Sequence, residues 1–209
     1  MSVFETVREL SSFRKTQDET ISRQVLGKIL EAARWTPSPG NVQGLEFVVV
    51  ESGEELERLA SSTDDRIAEA AAAVLVVGDV DRLRKRFGDD AETFCAAEAG
   101  AASQNMRLVA KEEGLSSLWI TGFEAGEEFG VPPERKVFGV AAFGYTEDPV
   151  PLDPKFGLSN VVYYERYGNR VSSIFDSAGW KGAGTEFKAL ERKSKKILDR
   201  LRRKAEQFL

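Results

Sequence analysis

Three short polar clusters hold the residues whose types and spacing could do chemistry. Ser38, Asn41 and Gln43, in Thr36-Pro37-Ser38-Pro39-Gly40-Asn41-Val42-Gln43, bring a hydroxyl and two amides to the start of an apolar run. An amide both donates and accepts, so this set suits the edge of a planar ligand that does the same. Ser11-Ser12-Phe13-Arg14-Lys15 sets two hydroxyls beside two cations. A forked guanidinium and a rotatable hydroxyl together suit a phosphate. Thr121-Gly122 follows the apolar run Leu118-Trp119-Ile120, where glycine permits close approach to bare backbone amides. Each cluster also has a plain structural reading as a turn or a helix end, because Pro, Ser, Gly and Asn are turn residues in any chain.

Composition removes much other chemistry. The 209 residues include no histidine and one cysteine, Cys95. A histidine base, a Ser-His-Asp or Cys-His nucleophile, a His-ligated metal, an intrachain disulfide and a Cys-cluster metal are therefore excluded. A bound cofactor that brings its own redox chemistry fits this short inventory. Hydrophobic content of 42%, charged content of 30% and a net charge of −5 describe a core-forming, mildly acidic chain, and nucleic acid is not its expected ligand. There is no basic start leading into an apolar run, and no stretch of about eighteen apolar residues, so neither a secretory leader nor a membrane span is expected. A cytoplasmic location is the expectation.

The elements that must position these clusters follow from periodicity. Val25, Leu26, Ile29, Leu30 and Ala33 form one apolar face of a helix from Ser22 to about Arg34, with Ser22 as its cap. Pro37 and Pro39 turn the chain, and Leu45 to Val50 is a short β-branched strand. A further helix is expected over Asp64–Ala73, a buried strand over Val74–Gly78, an exposed charged stretch over Asp79–Phe87, and a long helix over Asp90–Glu113. The centre of that long helix is unusually small, Ala96-Ala97-Glu98-Ala99-Gly100-Ala101-Ala102-Ser103, which suits burial in a domain or dimer. Cys95 reads as a small buried hydrophobe. Strands are expected at Leu118–Ile120 and Lys136–Phe143.

Arg34-Trp35-Thr36-Pro37-Ser38-Pro39-Gly40-Asn41-Val42-Gln43 with Glu46-Phe47-Val48-Val49-Val50, then Gly114 to Phe123, then Asn160 to Gly168, resemble in order the motifs of the nitroreductase family. The resemblance spans about Val7 to Gly168. It implies an α+β fold, a mixed sheet surrounded by helices, in an intertwined homodimer with FMN at the interface. It further implies that NADH or NADPH reduces the flavin at N5 and that a small electron-poor acceptor, such as a nitroaromatic or quinone, reoxidises it. By that resemblance Ser12, Arg14 and Lys155 hold the phosphate, and Pro37, Ser38, Asn41 and Gln43 hold the flavin and its tail. The backbone amides of Thr121 and Gly122 face N5 and O4.

The chain departs from the family pattern at four positions. Leu10 and Ser11 stand where the phosphate motif has two arginines, and Gln43-Gly44-Leu45 stands for Gln-Pro-Trp. Residues 1–168 are read as the FMN-binding domain and residues 169–209 as an extension. That extension carries a basic amphipathic helix expected to pack on the partner subunit. The alternatives are a non-catalytic flavin-binding or interaction protein, or a family variant that performs reductive dehalogenation or flavin fragmentation.

Overall fold

The computed structural model describes residues 2–123 and 125–169. It divides into two compact units, Met1–Leu152 and Asp153–Leu209. The expected basic helix near the C-terminus lies outside the described residues.

In the first unit, α1 (Val3–Arg8) opens with a capping box between Ser2 and Glu5 and leads into β1 (Ser11–Ser12). Helix α2 (Arg23–Arg34) is capped by Ser22, whose hydroxyl accepts the Val25 N–H at 3.2 Å. Then come β2 (Leu45–Val50), α3 (Gly53–Ser61), β3 (Ala72–Gly78), α4 (Val80–Phe87), α5 (Ala91–Glu112), β4 (Ser116–Ile120), β5 (Lys136–Gly144) and β6 (Val150–Pro151). The helix expected over Asp64–Ala73 is instead one 3-10 turn, Asp65–Glu69. Ala70 is already extended, and Ala72 and Ala73 join a strand whose seven residues are all buried. Burial between two layers outweighs the helix preference of alanine here.

The main sheet has the order β2-β3-β5-β4. Its pairings are all antiparallel, a narrower arrangement than the mixed sheet expected. The reason is local: α3 and the loop after β4 each return the chain to the end of the sheet it has just left. Period-2 alternation along β3 then builds a core on each face. Val74 and Val76 meet Ile29, Ala102, Met106 and Phe143 on the α2–α5 side. Leu75 and Val77 meet Phe13, Leu59, Ile67 and Val140 on the other. The small residues of α5 are divided: Ala99 and Ala102 face the sheet, whereas Ala96, Ala97 and Gly100 are exposed.

The second unit is described over residues 153–169. It contains α6 (Leu158–Val161).

Candidate functional site

The polar turn is built from left-handed backbone. Gly40, Asn41 and Gln43 have φ of 54°, 56° and 57°. For a non-glycine residue that region costs on the order of 1–3 kcal/mol, so the surrounding contacts must impose it. They do so from three sides. Ser38 Oγ accepts the Gln43 N–H at 3.0 Å, and the Ser38 carbonyl accepts the Asn41 N–H at 3.0 Å. Arg86 Nη1 donates to the Gly40 carbonyl at 2.8 Å and Arg82 Nη1 to the Gln43 carbonyl at 2.7 Å. The Gly44 carbonyl accepts the Asp79 N–H at 2.8 Å. The backbone of the turn is thereby consumed by the protein. The exposed side chains of Asn41 and Gln43, and the ring of Pro37, face outward with no internal partner among the described residues.

Helix α4 is therefore a clamp. The charged side chains from Asp81 to Arg86 are exposed, as expected of this segment, but Val80 and Leu83 are buried, and Phe87 meets Phe94 edge-on at 4.9 Å between centroids. Asp79, itself buried, caps α4 through the Arg82 N–H at 2.9 Å. Its carboxylate also pairs with the Arg82 and Arg135 guanidinium groups at 3.2 and 3.1 Å. Behind the turn, Glu98 of α5 is buried, with its Oε2 3.6 Å from where a Cβ on Gly44 would stand, and that oxygen has no hydrogen-bond partner. Burial pushes its carboxyl up from the usual range, while the Gly44 amide and the Arg82 charge oppose the shift. Cys95 is pushed up to about 12, first by burial and then by the neighbouring charges of Glu98, Asp79 and Glu92. It is a buried hydrophobe, as expected.

The other two clusters share the opposite edge of the sheet. Ser11 is buried, and its hydroxyl meets that of Ser116 at 2.9 Å, which fixes β1 beside the start of β4. Ser12 is half-buried, and its hydroxyl donates to the Val150 carbonyl at 3.4 Å. Arg14 is exposed and makes no ion pair among the described residues. Thr121 and Gly122 are exposed just beyond the far end of β4, with Gly122 at φ 82°. At about 3.3 Å per residue, the steps from Ser116 to Thr121 span roughly 17 Å, comparable with the extended length of FMN.

The turn is not near them. Gln43 precedes Leu45, which is level with Gly78 and Lys136, whereas Ser116 is level with Gly144. The run from Lys136 to Gly144 covers about 27 Å, and the three strand spacings from β2 to β4 add about 14 Å across the sheet. The phosphate-type cluster and the amide turn thus sit at diagonal corners of one chain. Lys155 is exposed in the second unit.

The model of the nitroreductase family matches this chain over residues 7–69 and 61–145. The chain belongs to the nitroreductase family. An Archaeoglobus fulgidus protein named "Putative NADH dehydrogenase/NAD(P)H nitroreductase" is 32% identical over 146 residues, covering 66% of this chain and 81% of that protein. A solved nitroreductase family protein from Clostridium difficile 630 is 28% identical with a TM-score of 0.69, covering 79% of this chain and 99% of that one. An FMN-dependent nitroreductase from Clostridium difficile R20291 shares the fold at a TM-score of 0.68 and 24% identity, covering 78% of this chain and 99% of that one.

This nitroreductase-family chain explains its own departures from the motif. Leu10 and Ser11 point into the core, at 4% and 6% exposure, so neither position could carry a solvated arginine. A side chain at Gly44 would place Cβ 2.2 Å from Leu83 Cδ1, so α4 occupies the room that a larger residue would need. Sequence reading missed Asp79, Arg82, Arg86 and Glu98. Arginine every fourth residue on a short charged helix looks like a solvated face until the turn carbonyls are seen to accept from it. Among the described residues no group of His, Cys, Asp or Glu could hold a metal, and no helix is long and apolar enough to cross a membrane.

Proposed function

We propose that this protein is an FMN-dependent oxidoreductase acting as a homodimer, with NADH or NADPH as donor and a small electron-poor molecule as acceptor. The observation that carries the reading is the β4 edge. It has a hydroxyl and a free guanidinium at one end, at Ser12 and Arg14, and open backbone at the other, at Thr121 and Gly122. That donor set fits FMN: charge and hydroxyl for the phosphate, and amides for the polar ring edge. FMN, when bound, supplies the two-electron chemistry between nicotinamide and acceptor. The chain's own residues bind and orient. Ser12 and Arg14 neutralise phosphate. Asn41 and Gln43 offer amides from a turn whose backbone is already satisfied, with Pro37 and Ser38 shaping its entry.

One cofactor cannot touch both diagonal corners of one chain, which supports a site shared between two copies. The exposed stripe of Ala96, Ala97 and Gly100 on α5 is compatible with close helix packing between them. In this reading residues 1–168 bind the cofactor, with the dimer in the cytoplasm. A non-catalytic flavin binder is the second reading, favoured by the buried Leu10 and Ser11 in place of two phosphate-binding arginines.

Flavin retention after gel filtration, followed by anaerobic NADH or NADPH, separates the two readings. One FMN per subunit that bleaches supports the oxidoreductase, and a flavin that stays oxidised sinks NAD(P)H-linked turnover. Mixed dimers of Arg14→Ala and Asn41→Ala test sharing. A shared site restores one intact site per dimer, whereas a site within one chain restores none.

A further inference from the structure

Two arginines are half-buried among the described residues. Arg135 meets the Glu46 and Asp79 carboxylates at 3.3 and 3.1 Å. Arg107, on α5, meets no carboxylate among the described residues. Its Nε donates to the buried Ser117 hydroxyl at 3.2 Å, and its Nη1 and Nη2 have no partner there. Both nitrogens still reach solvent, since the sealed-off side-chain atom without a partner among the described residues is Glu98 Oε2. A cation held partly out of water without a counter-ion is costly, so this position calls for an anion.

The place of that anion follows from alternation along β1 and β4. Phe13 and Leu118 belong to the core on the α3 side of the sheet. Ser11 and Ser116, each two residues before them, share that side, and their hydroxyls meet at 2.9 Å. Ser12 and Ser117 therefore lie on the other side, the α5 side, where Ser117 holds Arg107. Helix geometry agrees. At about 100° per residue, Asn105 and Arg107 lie on opposite flanks of α5 about the core-facing Met106. Asn105 donates to the Ala32 carbonyl of α2 at 3.2 Å, so the Arg107 flank faces away from α2, toward the β4 edge where α1 and β1 pack. This is the corner of Ser12, where Leu10 and Ser11 stand in place of the two arginines of the family pattern. A guanidinium that β1 lacks is present there on α5.

We propose that Arg107 is the second cation of the phosphate subsite: with Ser12 and Arg14 it binds the phosphate of the ligand, in place of the arginines missing at Leu10 and Ser11. The identity of the phosphate ester rests on the FMN reading. With Nε tied to Ser117, the guanidinium is held in one direction, and Nη1 and Nη2 remain to donate to phosphate oxygens. The phosphate in turn supplies the charge that no carboxylate among the described residues supplies.

The test is Arg107→Met in the full chain, titrated with FMN and with riboflavin by flavin fluorescence quenching. Methionine keeps an unbranched apolar stem beside β4 and removes the charge. Riboflavin presents the same ring and ribityl chain without the phosphate. In R107M the FMN Kd rises about tenfold or more, the scale of a hydrogen bond between charged groups, while the riboflavin Kd is unchanged. Arg107→Lys keeps the charge without the fork, so its preference for FMN over riboflavin falls between the two. If R107M does not fold, R107K decides, and an undiminished preference in it overturns the proposal.

An equal loss of FMN and riboflavin affinity in R107M also overturns it, because Arg107 would then only pack. An unaltered preference for FMN does the same. If that result comes with a weaker dimer by sedimentation, the counter-ion of Arg107 belongs to the second copy. Failure of the unsubstituted protein to bind FMN is a separate result, which overturns the FMN reading and this proposal together.

Discussion

Replacing Gly44 by alanine tests the packing between the cofactor turn and α4 with a single methyl group. Gly44 is buried, and an added Cβ meets Leu83 Cδ1 at 2.2 Å, far inside van der Waals contact. Leu83 has nowhere to retreat, since it is 0% exposed in a cluster with Val80, Ala91 and Cys95. The backbone of Gly44 is not in the left-handed region, so the cost is steric and not conformational. Overpacking of this kind costs about 1–3 kcal/mol. Leu83→Ala by itself opens a cavity and costs about 2–5 kcal/mol. In the double variant the new methyl occupies part of that cavity, so the two costs must not add. The coupling is expected at about 1 kcal/mol or more in the favourable direction, as for residues in direct contact. Urea unfolding without flavin, at one fixed protein concentration, measures all four species. G44A within about 0.5 kcal/mol of the parent, or additivity to within about 0.5 kcal/mol, would show that α4 yields freely and does not shape the turn.

Arg14→Ala should weaken FMN binding by about 1.5–3 kcal/mol, the scale of a hydrogen bond to a charged group, and an unaltered affinity by titration calorimetry removes Arg14 from the site. Cys95, buried and pushed up to about 12, should resist Ellman's reagent in the native protein and react only on unfolding. Rapid native labelling would contradict its burial. Glu98 has a folded carboxyl raised above its unfolded value, so the native state holds the extra proton. Its contribution to stability therefore falls as pH rises through the folded value. E98Q lacks that titration, so its stability relative to the parent should improve from acidic to neutral pH in urea unfolding. A constant difference across that range would mean that burial does not raise this carboxyl.

The sequence by itself determined the elements and the polar inventory. Ser22 with the apolar face from Val25 to Ala33 specified α2, and the β-branched Leu45–Val50 run specified β2, because each signal is local and periodic. Missing histidines and a lone cysteine pointed to borrowed redox chemistry, and separated motifs in order pointed to the nitroreductase family. Tertiary structure decided what those elements do to one another. Alanines over Ala70–Ala73 read as helix, yet burial between two layers made Ala72 and Ala73 strand. The charges of α4 read as a solvated face, yet Arg82 and Arg86 spend theirs on carbonyls some forty residues earlier in the chain. Ser12, Asn41 and Thr121 look like parts of one site in the linear chain, and only strand order and register put Asn41 at the corner diagonal to Ser12. Local propensity acts through neighbours in sequence. Which corner a turn occupies, and which carbonyl an arginine meets, is set by contacts between residues far apart in the chain, and those exist only once the sheet has closed.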